Sequence, residues 1–181
     1  VLLAVDGIDV NSRKDNGSTA LITSCFNGHF NVVEMLLAVD GIQVNQATDE
    51  EATPLFMACQ NGHSKAVKML LEVEGIQVNQ ANNKQATPLL IACENDYFKV
   101  VEMLLAVDGI QVNQANNNDA TPLNVACQNG HSNIVKMLLA AEGIHVNQAN
   151  DEEVTPLWFA CQNGHSKVVE MLLAVEGIQV N

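Results

Sequence analysis

One spacing constrains this chain more than any other feature. Thr19, Thr53, Thr87, Thr121 and Thr155 recur at one fixed interval, and the segment ATPLFMACQNGHSKAVKMLL at 52–71 returns as VTPLWFACQNGHSKVVEMLL at 154–173. A period of this size marks an array of supersecondary units, each too small to bury its own apolar face. Five full units run 7–40, 41–74, 75–108, 109–142 and 143–176, and together they make one domain. Residues 1–6 match the end of a unit, and 177–181 match the start of another. The chain therefore reads as a piece of a longer array.

The period also absorbs the residues that usually signal chemistry. All 4 Pro stand at one register (Pro54, Pro88, Pro122, Pro156), and the 5 Cys at another (Cys25, Cys59, Cys93, Cys127, Cys161). Four His form a third register (His29, His63, His131, His165). A catalytic centre needs different side chains converging on one point, whereas a residue repeated at one structural position is explained by packing. An enzyme is not expected, nor is a cofactor or a metal. No CxxC occurs, and units about 8–10 Å apart exceed the roughly 7 Å Cα limit for a disulfide. Reduced, buried thiols point to an intracellular, cytoplasmic setting. The His register is expected to tie adjacent turns together.

Within one unit, Thr53 suits a helix N-cap and Pro54 the first helical position. Leu55, Ala58 and Cys59 then fall on one face. Asn61-Gly62 ends this helix, Gly62 supplying a left-handed residue. Ser64 reads as a second N-cap, followed by Val67, Leu70 and Leu71 on one stripe, and Gly75 stops that helix. The stretch GIQVNQANNKQA at 75–86 reads as a short extended finger with an Asn-rich tip. Neither helix reaches the roughly 12–15 residues needed for marginal stability alone. The expected fold is all-α: a solenoid of helix-turn-helix units with short β-hairpin or finger connections.

TPL, an Ala three positions on, Gly-His and a helix ending in Leu-Leu resemble the ankyrin repeat, over essentially the whole chain. That family's usual repeat is shorter by one position, and the additional residue here falls after the Leu pair, lengthening the outer helix or its exit. The His that follows TPL in the family is replaced by Ile22, Phe56, Leu90, Asn124 and Trp158, so its anchoring of the finger does not carry over. The third unit has Asp96-Tyr97 for Gly-His. Gly17 is the one finger Gly kept.

The resemblance implies a non-catalytic scaffold that binds a protein or peptide on the concave surface of finger tips and inner helices. Matched position by position, the contacts would be Asp49, Glu50, Ala52, Gln60 and Asn61 in the second unit, and Asn83, Lys84, Ala86, Glu94 and Asn95 in the third. The fourth would offer Asn117, Asn118, Ala120, Gln128 and Asn129, and the fifth Asp151, Glu152, Val154, Gln162 and Asn163. The residues after TPL also vary between units, adding Phe56, Asn124 and Trp158. Phe56 and Trp158 read first as packing between neighbouring inner helices and fingers, and second as interface anchors.

Charge narrows the partner. With 8 Lys+Arg against 21 Asp+Glu, the formal charge is −13, which disfavours nucleic acid. No apolar run approaches the roughly 18 residues of a membrane span. Lys65, Lys68, Lys99, Lys136 and Lys167 lie on the outer helices, leaving the finger edge acidic and suited to a basic or amphipathic segment. A structural spacer without a dedicated partner is the alternative. Asp6, Asp40, Glu74, Asp108, Glu142 and Glu176 precede the unit-opening Gly and read as solvated carboxylates accepting turn N–H bonds. With no polar capping unit at either end, end-to-end self-association is expected.

Overall fold

The computed structural model describes residues 9–180. Residues 1–6, read above as the end of a unit and including Asp6, lie outside the described region. Ten helices follow in pairs: α1 (Ala20–Phe26), α2 (Phe30–Leu37), α3 (Pro54–Gln60), α4 (Ser64–Leu71), α5 (Pro88–Glu94), α6 (Phe98–Leu105), α7 (Pro122–Gln128), α8 (Ser132–Leu139), α9 (Pro156–Gln162) and α10 (Ser166–Leu173). Each packs on its pair-mate and on the matching helix of the next pair. The odd-numbered helices form one layer and the even-numbered helices the other. No strand forms among the described residues, so the molecule is an all-α solenoid.

Each short helix is fixed at its ends by its own residues. Thr53 Oγ1 accepts from the Phe56 amide at 3.1 Å, and the same cap recurs at Thr19, Thr87, Thr121 and Thr155. At the exit of α3, Gly62 (φ +69°) lets the His63 amide donate to the Ala58 carbonyl at 2.9 Å while its own amide reaches Cys59 at 3.2 Å. That pair of bonds is the Schellman arrangement, which satisfies carbonyls the helix would otherwise leave open.

The second N-cap differs from expectation. His63, not Ser64, holds the N-cap place of α4, and it makes no side-chain cap bond. Ser64 is already helical because its amide donates to Gly62 across a tight turn, which starts the helix one residue early relative to its best capping side chain. All five outer helices close on the Leu pair, so the additional residue of the period lies in the exit turn and not in the helix.

The core runs continuously along the stack. Leu55, Leu70, Leu89, Leu104, Leu123 and Leu138 are fully buried, interleaved with Ala58, Ala92 and Ala126, whose small size lets inner helices approach closely. Cys25, Cys59, Cys93 and Cys127 are free thiols in the same layer. Burial pushes Cys25 and Cys127 up to about 12 and raises Cys59 and Cys93 further, so these sulfurs stay protonated and inert.

Candidate functional site

The fingers form the most individual surface of the molecule. Each is a closed turn: Thr48 N donates to the Ala52 carbonyl at 3.0 Å, Asn82 to Ala86 at 3.0 Å, Asn116 to Ala120 at 3.1 Å and Asn150 to Val154 at 3.1 Å. The turn is too short to build a strand ladder, which is why the expected β-hairpin appears only as its tip. Asn82 Oδ1 accepts from the Lys84 and Ala86 amides at 3.0 Å each, and Asn116 and Asn150 repeat this Asx geometry. The finger thus holds itself without the His it lacks.

Neighbouring tips are then stitched together by one backbone bond each. Asp49 N donates to Asn16 O, Asn83 N to Glu50 O, Asn117 N to Lys84 O and Asp151 N to Asn118 O, all between 2.9 and 3.2 Å. This chain of bonds brings the exposed tip residues Asp49, Glu50, Asn83, Lys84, Asn117, Asn118, Asp151 and Glu152 into one edge. Asp49 is not a free charge on it: its Oδ1 pairs with Arg13 at 2.8 Å.

Glu94, Gln128 and Gln162 are exposed at the far ends of α5, α7 and α9, with Gln60 and Asn61 half-buried at the end of α3. Asn95, Asn129 and Asn163 are exposed beside them. The length of one inner helix, about 10 Å, separates these ends from the fingers. Of the small residues matched, Ala52 and Ala86 are buried, and Ala120 and Val154 are half-buried.

Three aromatic or amide candidates move off this edge. Phe56 is 2% exposed, inside the core, and offers nothing to a partner. Asn124 is fully buried. Its Oδ1 accepts from the Thr121 amide at 2.9 Å and its Nδ2 donates to the Gln148 carbonyl at 3.2 Å, tying the next finger down. Trp158 is 47% exposed, yet its register mates Ile22, Phe56, Leu90 and Asn124 are all buried. Its exposure reflects its place on the stacking face of the last described helix pair, which no other described pair covers.

Two groups of residues escaped the sequence reading. Asn45 Nδ2 donates to the Gly75 carbonyl at 2.8 Å while its Oδ1 accepts from the Gln77 amide at 3.0 Å. Asn11, Asn79, Asn113 and Asn147 make the same two-way bridge to the next exit turn. The fixed Asn at this register was the available signal. Glu51, Gln85, Asp119 and Glu153 are exposed at φ between 53° and 62°, a left-handed conformation that Gly17 adopts at the first finger. Their register with Gly17 could have revealed it.

The His register does tie turns together: His63 Nε2 meets Phe26 O at 3.0 Å, His131 meets Glu94 O at 2.9 Å, and His165 meets Gln128 O at 3.0 Å. The carboxylates of Asp40, Glu74, Asp108, Glu142 and Glu176 are exposed. No turn N–H bonds to them among the described residues, so they are solvated and not the expected acceptors. No group of three metal-ligating side chains occurs among the described residues.

A family model for ankyrin repeats matches residues 1–82, 41–116 and 107–181, three overlapping stretches that span the chain. The chain belongs to the ankyrin-repeat family. Ankyrin repeats are generally protein–protein interaction modules, and the family is typically non-catalytic. A search of curated proteins returns no match to the chain. No described helix of this ankyrin-repeat array is long and apolar enough to cross a membrane.

Proposed function

We propose that this ankyrin array is a non-catalytic scaffold that recognises a protein or peptide along its finger edge and inner-helix face. The observation that carries this reading is the tip-to-tip backbone bonding, which fixes Asp49-Glu50, Asn83-Lys84, Asn117-Asn118 and Asp151-Glu152 into one edge of differing chemistry. A pre-organised edge costs less conformational entropy on binding than free loops do. Acid dominates at Glu50, Glu51, Asp151, Glu152 and Glu153, which suits a basic or amphipathic segment. The five units act as one domain, and the free buried thiols suit an intracellular, cytoplasmic setting.

The test captures partners on the immobilised chain and on a variant carrying Glu50→Gln, Asp151→Asn and Glu152→Gln. Recovery should fall in the variant and at high ionic strength. Equal recovery under every condition sinks this reading and leaves the spacer. That second reading draws on the asparagine bridge, which is the same at every described junction and would suit an extended structural rod.

The stacking face around Trp158 and Leu173 supports end-to-end self-association of this chain. Sedimentation at rising concentration should show larger species, and Trp158→Ala should reduce them. A strictly monomeric profile at high concentration removes that part.

A further inference from the structure

The outer helices share one register pattern, and an inner junction departs from it. At the first helical position stand Phe30, Ser64, Phe98, Ser132 and Ser166, followed by Asn31, Lys65, Lys99, Asn133 and Lys167. Lys65 reaches back across its junction and lays its ammonium over the Phe30 ring, 4.3 Å from the centroid. That contact covers one ring face and adds a cation–π attraction. Phe98 meets Asn133 where Phe30 meets Lys65, and no cation lies over its ring among the described residues. The cavity beside Phe30 and Lys65 is about 260 Å³, whereas the one beside Phe98 is about 500 Å³.

The open junction lies between α6 and α8. Phe98, Asn133, Lys136, Met137 and Ala140 line its cavity. A second cavity, about 460 Å³, shares Met137 and Ala140 and continues to the exit turns, where Leu105, Ile110, Asp108 and Glu142 are among its walls. The two make one furrow with a half-buried apolar floor of Leu105, Ile110 and Met137. Its ends carry opposite charge. Lys136 is exposed, with no carboxylate within 4 Å of its ammonium among the described residues. Helical side chains lean toward the N-terminus, which directs that ammonium to the Asn133 end. Asp108 and Glu142 are exposed at the other end. Both walls are helical: Asn133, Lys136, Met137 and Ala140 share one face of α8, and Phe98 and Leu105 stand two turns apart along α6 and its exit.

We propose that this furrow docks an amphipathic helix of a partner protein, on a face separate from the finger edge. The acidic first turn of that helix lies beside Lys136, and its basic last turn lies beside Asp108 and Glu142. Helical walls keep their own backbone bonds closed, so an added strand would find no sheet edge to pair with. A helix needs only an apolar stripe, with anchors against Phe98, Met137 and Leu105. The charge order sets its direction. Acid at the first turn and base at the last also suit the helix dipole, so the guest runs parallel to α6 and α8. A second copy of this chain does not supply that order, because no described helix has an acid in its first turn.

The test titrates the isotope-labelled intact chain with a synthetic helical peptide of about 14 residues, carrying a Leu stripe, Glu in its first turn and Lys in its last. A second peptide has the Glu and Lys exchanged. Amide shifts should map to Phe98, Lys136, Met137 and Ala140, and the exchanged peptide should bind roughly tenfold more weakly. Phe98→Ser, Asn133→Lys and Ala140→Glu each install a residue that another unit already carries at that register, as at Ser64, Lys65 and Glu72. The fold is therefore retained while affinity falls roughly tenfold. Lys136→Glu, matching Glu102, should erase the preference between the two peptides. The finger variant Glu50→Gln, Asp151→Asn, Glu152→Gln should bind the first peptide unchanged. Shifts that fall on the fingers overturn the proposal, as do equal affinities for the two peptides, unchanged binding in Phe98→Ser, or no saturable shift at millimolar peptide. Furrow shifts that grow on concentrating the chain without peptide overturn it in favour of a second copy.

Discussion

The second and fifth helix pairs have nearly the same sequence and different surroundings. ATPLFMACQNGHSKAVKMLL and VTPLWFACQNGHSKVVEMLL differ at few positions, yet Phe56 is buried where Trp158 is half-exposed, and Cys59 is buried where Cys161 is exposed. Gly62 lies under a Tyr ring where Gly164 has nothing within 4 Å among the described residues. The comparison teaches that a unit's own residues decide its shape, while its successor decides how much of it is interior. Stability in such a stack is a sum of unit terms and junction terms.

Truncation at one register gives the largest contrast. Phe56→Ala should cost about 3–5 kcal/mol, the range for a buried aromatic, while Trp158→Ala should cost under about 1 kcal/mol. Urea unfolding of the two variants checks this, and equal losses would mean the last pair is covered in solution. The thiols separate the same regions by pH. Burial raises the four inner Cys above their ordinary value, so between about pH 9 and 12 the unfolded chain loses protons that the folded chain keeps. These groups stabilise fully below pH 9, and that contribution drops as pH climbs, by about 1.4 kcal/mol per thiol per pH unit. A maleimide should label Cys161 in the native chain and the other four only on unfolding.

A smaller effect tests the asparagine bridge. Asn79→Ala removes the bonds to the Gly109 carbonyl and the Gln111 amide at an inner junction, where both groups can turn to water, and should cost about 0.5–1.5 kcal/mol. Asn147→Ala at the last junction should cost less, because no described helix follows the exit turn that it holds. Thermal unfolding of both variants sharpens the contrast, and a larger loss for Asn147 would reverse it. The smallest effect concerns the fingers. Glu153→Gly and Gln85→Gly should stabilise by roughly 1 kcal/mol each by relieving a left-handed side-chain-bearing residue. Gly17→Ala should do the opposite, since its Cβ would run into Arg13 Nη2 and the Asp49 backbone. Calorimetric midpoints shifting the other way would show that tip contacts outweigh backbone strain.

Much of the array was legible in the chain. Thr53-Pro54, Asn61-Gly62 and the Leu pair mark helix ends through local chemistry, and their repetition marks the solenoid. The start of α4 was not legible, because the tight turn through Gly62 overrode the capping preference of Ser64. The finger edge was legible as a variable stretch, but not its continuity, which depends on bonds such as Asn83 to Glu50 that reach from one unit to the next. Asn124 looked like one more variable residue, although its two bonds make it a buried anchor.

Sequence alone therefore determined the period, the helix pairs, the free-thiol register and the acidic tips, all of which follow from short-range propensity and composition. Only the tertiary structure decided which face each residue shows. Whether Phe56 or Trp158 meets solvent depends on the unit stacked above it, and the same is true of the Gly beneath His63 and the Gly left open at 164. Burial belongs to the junction between units, and no single unit carries enough information to fix it.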